Sequence, residues 1–339
     1  MTLSHDDWEQ ERGALLGRTI SELGLSIRGT PLESLVTQLY AELDAKGVAF
    51  HPPVYLSDQW GCPEGTPIIG VPFYLADARL ARLEQEVAVD LESERDSMRY
   101  LRHEAGHAIN YAYRLHERED WRALFGRYEL PYRDRFHVDP FSRDHVRHIL
   151  GFYAQKHPDE DFAETFAVWL TPALDWRRRY AGWGALKKLE WVDRVMRQVG
   201  QDAPEVPAPG EDDLPVEAMH WTIGEHYAEF EEPVPIGDPA QFDDELLDVF
   251  AARDDAPEGE PAAEFLRRHR REVVRRIAYW TGEQTTTVRG FIDHLVGRAE
   301  ALELRVSGLE AATLIELTAF GTAVIAHWRS TTALREEDE

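Results

Sequence analysis

The amino-acid sequence predicts an α+β domain, then an acidic connector, then a mainly α C-terminal region. Three observations carry this. Among the first 200 of the 339 residues, two short apolar runs bracketed by Pro and Gly lie between helical patterns. Beyond residue 262 every strong periodicity is helical. Between the two regions, residues 201–262 hold 19 acidic side chains, a single basic one (Arg253) and nine of the 19 prolines. Such a composition opposes a packed core. The expected division is 1–200, 201–262 and 263–339.

The elements follow in order. Pro31 opens a helix whose face is Leu32, Leu35, Val36, Leu39, Tyr40 and Leu43, and Gly47 closes it. Residues 50–57 and 66–75 read as strands. A long helix is expected over 97–116, a second over 159–170 and a third over Ala185–Val199. Within the acidic stretch, an island from Met219-His220-Trp221 through Tyr227 and Phe230 is apolar enough to dock on something. Helices over 263–280, 285–304 and 307–329 complete the chain. The first of these carries Arg267, Arg268, Arg270, Arg271, Arg275 and Arg276, a solvated face whose expected partner is the acidic stretch rather than nucleic acid. Trp176, Trp183 and Trp191 are expected in the core of a helical layer.

Charge and cysteine usage exclude several classes. With 63 acidic and 37 basic side chains the net charge is −26. That disfavours general nucleic-acid binding and docking to an anionic membrane surface. No apolar run is expected to approach the roughly 18 residues of a membrane span. Cys62 is alone, so no intrachain disulfide forms. The segment MTLSHDDWEQ lacks the basic and apolar regions of a signal peptide. A soluble, cytoplasmic protein is the expectation.

The sharpest feature is His103-Glu104-Ala105-Gly106-His107. On a helix, positions i and i+4 face the same way, so both imidazoles can hold one Zn²⁺. Glu104, one position on, can take a proton from water at the metal's open position. Gly106 inside a helix costs about 1 kcal/mol relative to Ala, which points to close approach of a neighbouring backbone. A catalytic zinc needs a third protein ligand. A further His at +6 from His107 is excluded, because Tyr113 stands there. Glu160 and Glu164, again i and i+4, offer one carboxylate for the metal and one to accept a ligand histidine's free N–H. Asp159 and Asp161, in the same first turn, are expected only to complement the helix dipole. His116, His137, His145 and His148 lie between the motifs and are alternative ligands. Glu160 fits better because it brings its own supporting acid.

With these residues the chain resembles the gluzincin metallopeptidases, which pair a His-Glu-x-x-His helix with a second helix carrying a Glu ligand. The stretch His157-Pro158-Asp159-Glu160 leading into Phe162-Ala163-Glu164 is locally similar to the catalytic domain of anthrax lethal factor. The resemblance implies Glu160 as the ligand and Glu164 as the acid behind a ligand histidine. It also implies Tyr153, seven residues before Glu160, as an assisting tyrosine. More broadly, YLSDQWGCPEGTPIIGVPFYLADARL, YLRHEAGHAINYAYRLH, HPDEDFAETFAVWLTP and WRRRYAGWGALKKLEWVD resemble a bacterial family of zinc-binding metallopeptidases. A zincin-like domain with a small sheet and active-site helices is implied, with one Zn²⁺ per chain and a peptide or protein substrate. The thermolysin-type Asp four residues after the ligand is replaced by Glu164, and the Gly-x-Met-Glu-Asn signature of gluzincin aminopeptidases is absent. The resemblance does not extend over 201–339.

Two functions remain. One is a zinc hydrolase cutting peptide or related amide bonds, with His103, His107 and Glu160 on the metal, Glu104 as general base and Tyr153 donating to the developing oxyanion. The other is a non-catalytic or regulatory binding protein that keeps the fold around a structural zinc. In either case the acidic stretch 201–262 could dock near the site.

Overall fold

Proline and glycine punctuate the chain much as their chemistry dictates. The computed structural model describes residues 5–87, 91–133, 136–209, 213–228 and 240–337. Helix α1 (His5–Leu16) buries Trp8 and Leu15, too sparse a pattern to be read in the sequence. Helix α2 (Pro31–Ala45) has Pro31 in its first turn and buries Leu32, Leu35, Leu39 and Leu43. Gly47 follows at φ 77°, a left-handed conformation that glycine adopts without strain.

Strands β1 (Val54–Ser57) and β2 (Ile69–Pro72) pair in parallel, with Val54 opposite Ile69 and Ser57 opposite Pro72. Both are shorter than the runs 50–57 and 66–75. Pro52, Pro53 and Pro72 have no N–H for a ladder, and after Pro72 the chain tightens into a 3₁₀ turn at Phe73–Ala76. Helices α3 (Ala78–Val87), α4 (Glu94–Ala112), α5 (Glu119–Phe125), α6 (Pro158–Leu170), α7 (Trp176–Arg179) and α8 (Ala185–Val199) follow. Helix α4 starts three residues before the expected 97, because Ser93 Oγ caps it by accepting the Asp96 N–H. Beyond these come α9 (Ile223–Ala228), α10 (Asp243–Val249), α11 (Ala262–Thr281), α12 (Thr285–Ala301) and α13 (Glu310–Glu337). The described residues are thus mostly helical, with one small parallel sheet, an α+β composition.

The chain divides into two compact units. One is Met1–Leu83 with Glu92–His226, and the other is Glu84–Leu91 with Tyr227–Glu339. In the first unit, α6 is buried along its whole length. Trp121 and Phe125 of α5 and Trp191 of α8 meet Phe162 of α6 with ring centroids 5.4–6.3 Å apart. Helix α4 crosses the other side of α6 at Gly106. A Cβ there would lie 2.7 Å from Ala163 Cα and 2.8 Å from its carbonyl oxygen. The close backbone approach expected from Gly106 is therefore that of α6.

Residues 213–226 of the acidic stretch also pack on this unit. Trp221 and Met219 carbonyls accept the Ile20 and Ser21 N–H groups at 3.1 and 3.0 Å, and Met219 and Ile223 are fully buried. Phe230, the end of the apolar island, lies outside the described residues.

The second unit has its own core, where Phe265, Val274 and Ile277 of α11 meet Phe291, Ile292 and Leu295 of α12 and Leu317 of α13. Its arginine face is ion-paired. Arg267 meets Glu300, Arg268 meets Glu260 at 2.7 Å and Arg270 meets Asp293 at 2.9 Å. Glu260 belongs to the acidic stretch, but the other two partners sit on α12. One expectation is corrected here. Glu310–Thr331 within α13 is long and apolar enough, by length and composition, to cross a membrane. Its apolar residues are interrupted by Thr313, Glu316, Thr318 and Thr322 rather than concentrated in a contiguous run.

Candidate metal centre

Helix α4 presents His103 and His107 on one face, and α6 brings Glu160 against them. The two Nε2 atoms are 3.1 Å apart. Glu160 Oε2 lies 3.0 Å from His103 Nε2 and 3.2 Å from His107 Nε2. All three side chains are buried, and their candidate donor atoms fall within 4.8 Å of one another. Donors bound at 2.0–2.1 Å to a tetrahedral Zn²⁺ stand about 3.3 Å apart. Two imidazole nitrogens and a carboxylate oxygen at 3.0–3.2 Å therefore fit that ion in type and spacing.

The far side of each imidazole explains why these atoms converge. His103 Nδ1–H donates to Glu164 Oε1 at 3.0 Å, and His107 Nδ1–H donates to Asp159 Oδ2 at 2.8 Å. A proton held on Nδ1 leaves the Nε2 lone pair free to face a cation. The acids tune the site strongly. Burial works against an imidazolium at His103, but its hydrogen bonds to the Glu160 and Glu164 carboxylates outweigh it and hold the pKa at about 9. Burial likewise opposes ionised Glu160, yet the two histidines hold its carboxyl well below the usual glutamate range.

The acids of α6 correct one expectation. Asp159 and Asp161 do more than complement a helix dipole. The dipole argument presumes a solvated first turn, and this helix is buried throughout. An ion taken out of water needs partners. Asp159 has three: His107 Nδ1, Asn110 Nδ2 at 2.6 Å and Tyr111 Oη at 2.6 Å. Asp161 takes Lys188 Nζ at 2.5 Å. Glu164, besides His103, accepts the backbone N–H groups of His148 and Ile149 at 3.1 and 2.8 Å. Asn110 and Tyr111 stand three and four residues after His107, so their helical spacing is the signal that could have placed them beside its partner.

An open cavity of about 710 Å³ lies over the donor set. Glu104 lines it and is itself buried; burial raises its pKa above the usual glutamate value, while His103 and His107 pull the other way. Tyr153 also lines the cavity, its ring 5.6 Å from that of His103. Sequence periodicity gave no hint of Tyr132. It lies in irregular chain, donates to Glu160 Oε1 and stands 3.4 Å from Tyr153 Oη. His157 caps α6 by accepting the Asp159 N–H on Nδ1, and its Nε2 donates to the Leu130 carbonyl at 2.9 Å. The alternative ligand histidines are elsewhere. His148 Nε2 donates to the Arg99 carbonyl at 3.0 Å, His145 Nδ1 meets Ser142 at 3.0 Å, and neither these nor His116 and His137 line the cavity.

Residues 71–179 match the model of the family described as "Putative zinc-binding metallo-peptidase". The matched stretch runs from within β2 to the end of α7 and contains His103, Glu104, His107, Tyr153, Glu160 and Glu164. No curated protein and no solved structure matches the chain.

Proposed function

We propose that this chain is a zinc-dependent hydrolase of gluzincin type that cleaves peptide or related amide bonds. The observation that carries the proposal is the convergence of His103 Nε2, His107 Nε2 and Glu160 Oε2, with both Nδ1 atoms turned to acids. The metallopeptidase family match over 71–179 supports it. His103, His107 and Glu160 would hold the ion. What zinc supplies there when bound is polarisation of a substrate carbonyl and a lowered pKa for water.

The remaining work belongs to side chains. Glu104, buried beside the histidines, accepts the proton of the attacking water and returns it to the leaving amine. Tyr153 donates to the developing oxyanion. Tyr132 holds the Glu160 oxygen that does not face the histidines. Glu164 and Asp159 keep both imidazoles in the tautomer that presents Nε2.

The competing possibility, a structural zinc in a binding protein, fits the cavity less well. Structural sites are closed by four protein ligands. Here three donors meet, and the cavity opens onto them. The test is metal content and turnover measured together. Wild type should carry one zinc per chain, and His103→Ala and Glu160→Ala should lose it. Glu104→Gln should keep the zinc while losing at least 10²-fold in peptide hydrolysis. Full zinc retention in Glu160→Ala, or unchanged turnover in Glu104→Gln, would reject the assignment.

A further inference from the structure

The cavity over the metal donors has walls of uneven chemistry. Trp60, Tyr128 and Tyr132 supply aromatic faces, and among the described residues no lysine or arginine lines it. Of its carboxylates, Asp159 and Glu160 are engaged with the histidines, Glu104 is buried beside them, and Glu129 is paired with Arg122 at 2.5 Å. Glu64 differs. It is exposed at the cavity, accepts from Tyr128 Oη at 3.3 Å, and has no cationic partner among the described residues.

The chain around Glu64 is built to hold it in place. Gly61 and Gly70 exchange both backbone hydrogen bonds, at 3.2 and 2.7 Å, which ties the loop to β2. The Thr66 N–H and hydroxyl both donate to the Pro63 carbonyl, at 2.9 and 2.7 Å. The Cys62 thiol closes the same turn on the Thr66 carbonyl at 3.2 Å, and Gly65 takes the left-handed φ of 73° that the turn requires. Glu64 is thus presented at the tip of a cross-braced turn, with little left to order when a ligand arrives. Tyr128 holds the carboxylate from the other wall. Tyr111 separates Tyr128 from Asp159 and the His107 imidazole, at 3.5 Å and 2.6 Å on its two sides.

We propose that Glu64 is a specificity determinant that selects substrates carrying a positive charge beside the bond to be cut. The proposal rests on the peptidase assignment and goes further in naming the substrate class. A preordered carboxylate in a cavity lined by the rings of Trp60 and Tyr128 is an arrangement that recognises an ammonium or guanidinium group. The cationic group is either a free peptide N-terminus or a Lys or Arg side chain; their chemistry at Glu64 is the same.

The test reads binding, so it does not depend on turnover. Zinc-loaded Glu104→Gln protein is titrated with fluorescent hexapeptides that are matched except for one Lys or Gln, each with a free or an acetylated N-terminus. Cationic peptides should bind at least tenfold more tightly than neutral ones. The added Glu64→Gln substitution should bring that ratio close to one, and Glu64→Lys should invert it. A preference that survives acetylation assigns the charge to the side chain; one lost on acetylation assigns it to the N-terminus. An equal ratio with and without Glu64, or no preference at all, overturns the proposal. If wild type binds the preferred peptide but leaves it uncut, the peptidase assignment fails while the role of Glu64 stands.

Discussion

His103 and His107 are held from behind by opposite acids of one helix, Glu164 and Asp159. Supporting acids of this kind typically change metal affinity by 10–100-fold. Asp159→Asn should therefore weaken zinc binding within about that range while the fold persists, as read by competition with a chelator. Unchanged affinity would return Asp159 to a purely local role. His148 lies behind the same shell. Burial drives its pKa down to about 4, against the pull of Glu164, whereas an unfolded imidazole titrates near 6.5. As pH falls from about 6.5 to about 4, the unfolded chain takes up a proton that folded His148 refuses, so stability is lost across that window. In metal-free protein, His148→Gln should lose less stability than wild type over the same interval in urea denaturation. Parallel losses would show that His148 does not contribute. The pair His103 and His107 was legible from spacing alone, because i and i+4 share a face whatever the tertiary setting. The role of Asp159 was not, since it depends on burial that no local pattern reports.

The site is two helices pressed together at a glycine. Gly106 of α4 leaves no room for a side chain against the Ala163 backbone, and that contact sets the depth at which Glu160 meets the histidines. Gly106→Ala has to push backbone rather than a flexible side chain. A destabilisation of about 1–3 kcal/mol follows, with weaker zinc retention, both measurable by denaturation and metal analysis. A variant as stable as wild type would mean that α4 and α6 can part without cost. Helix α8 and the C-terminal end of α6 fall where periodicity put them. The strands fell short because prolines end their ladders. The stretch 126–157 between α5 and α6 has no period to read, yet it supplies Tyr128, Tyr132, Tyr153 and His157 to the cavity. Such long irregular connections commonly carry function, but which of their side chains turn inward is settled by contacts and not by spacing.

Two separate cores imply two separable stabilities. All the metal donors lie in the unit of Met1–Leu83 with Glu92–His226. A ligand bound only by the folded form at about 100 times its dissociation constant stabilises by about 2.7 kcal/mol. Heating should accordingly resolve two transitions, and a chelator should lower only one. Limited proteolysis during the scan would identify the shifted one as the zinc-bearing unit. A single transition that moves as a whole on chelation would contradict independent cores. The charge distribution also belongs to this scale. Of the net −26, the 62 residues of 201–262 hold 19 acids against one base, so residues 1–200, with 32 acids against 25 bases, are only mildly acidic. Part of that acidic stretch is docked chain, with Met219 and Ile223 buried. None of its described residues lines the metal cavity.

The sequence by itself determined that two imidazoles share one helix face with a carboxylate next to the first, that Gly106 needs a close neighbour, and that a pair of glutamates four apart begins 53 residues after His107. Those facts are local, set by 3.6 residues per turn and by the volume of a missing side chain. Only the tertiary structure decided which acid meets which imidazole, that α6 is buried throughout, and that Tyr132 and Glu64 reach the cavity. Those depend on the register of α4 against α6 and on the path of irregular chain. Packing across the whole unit sets both, and no window of sequence contains it.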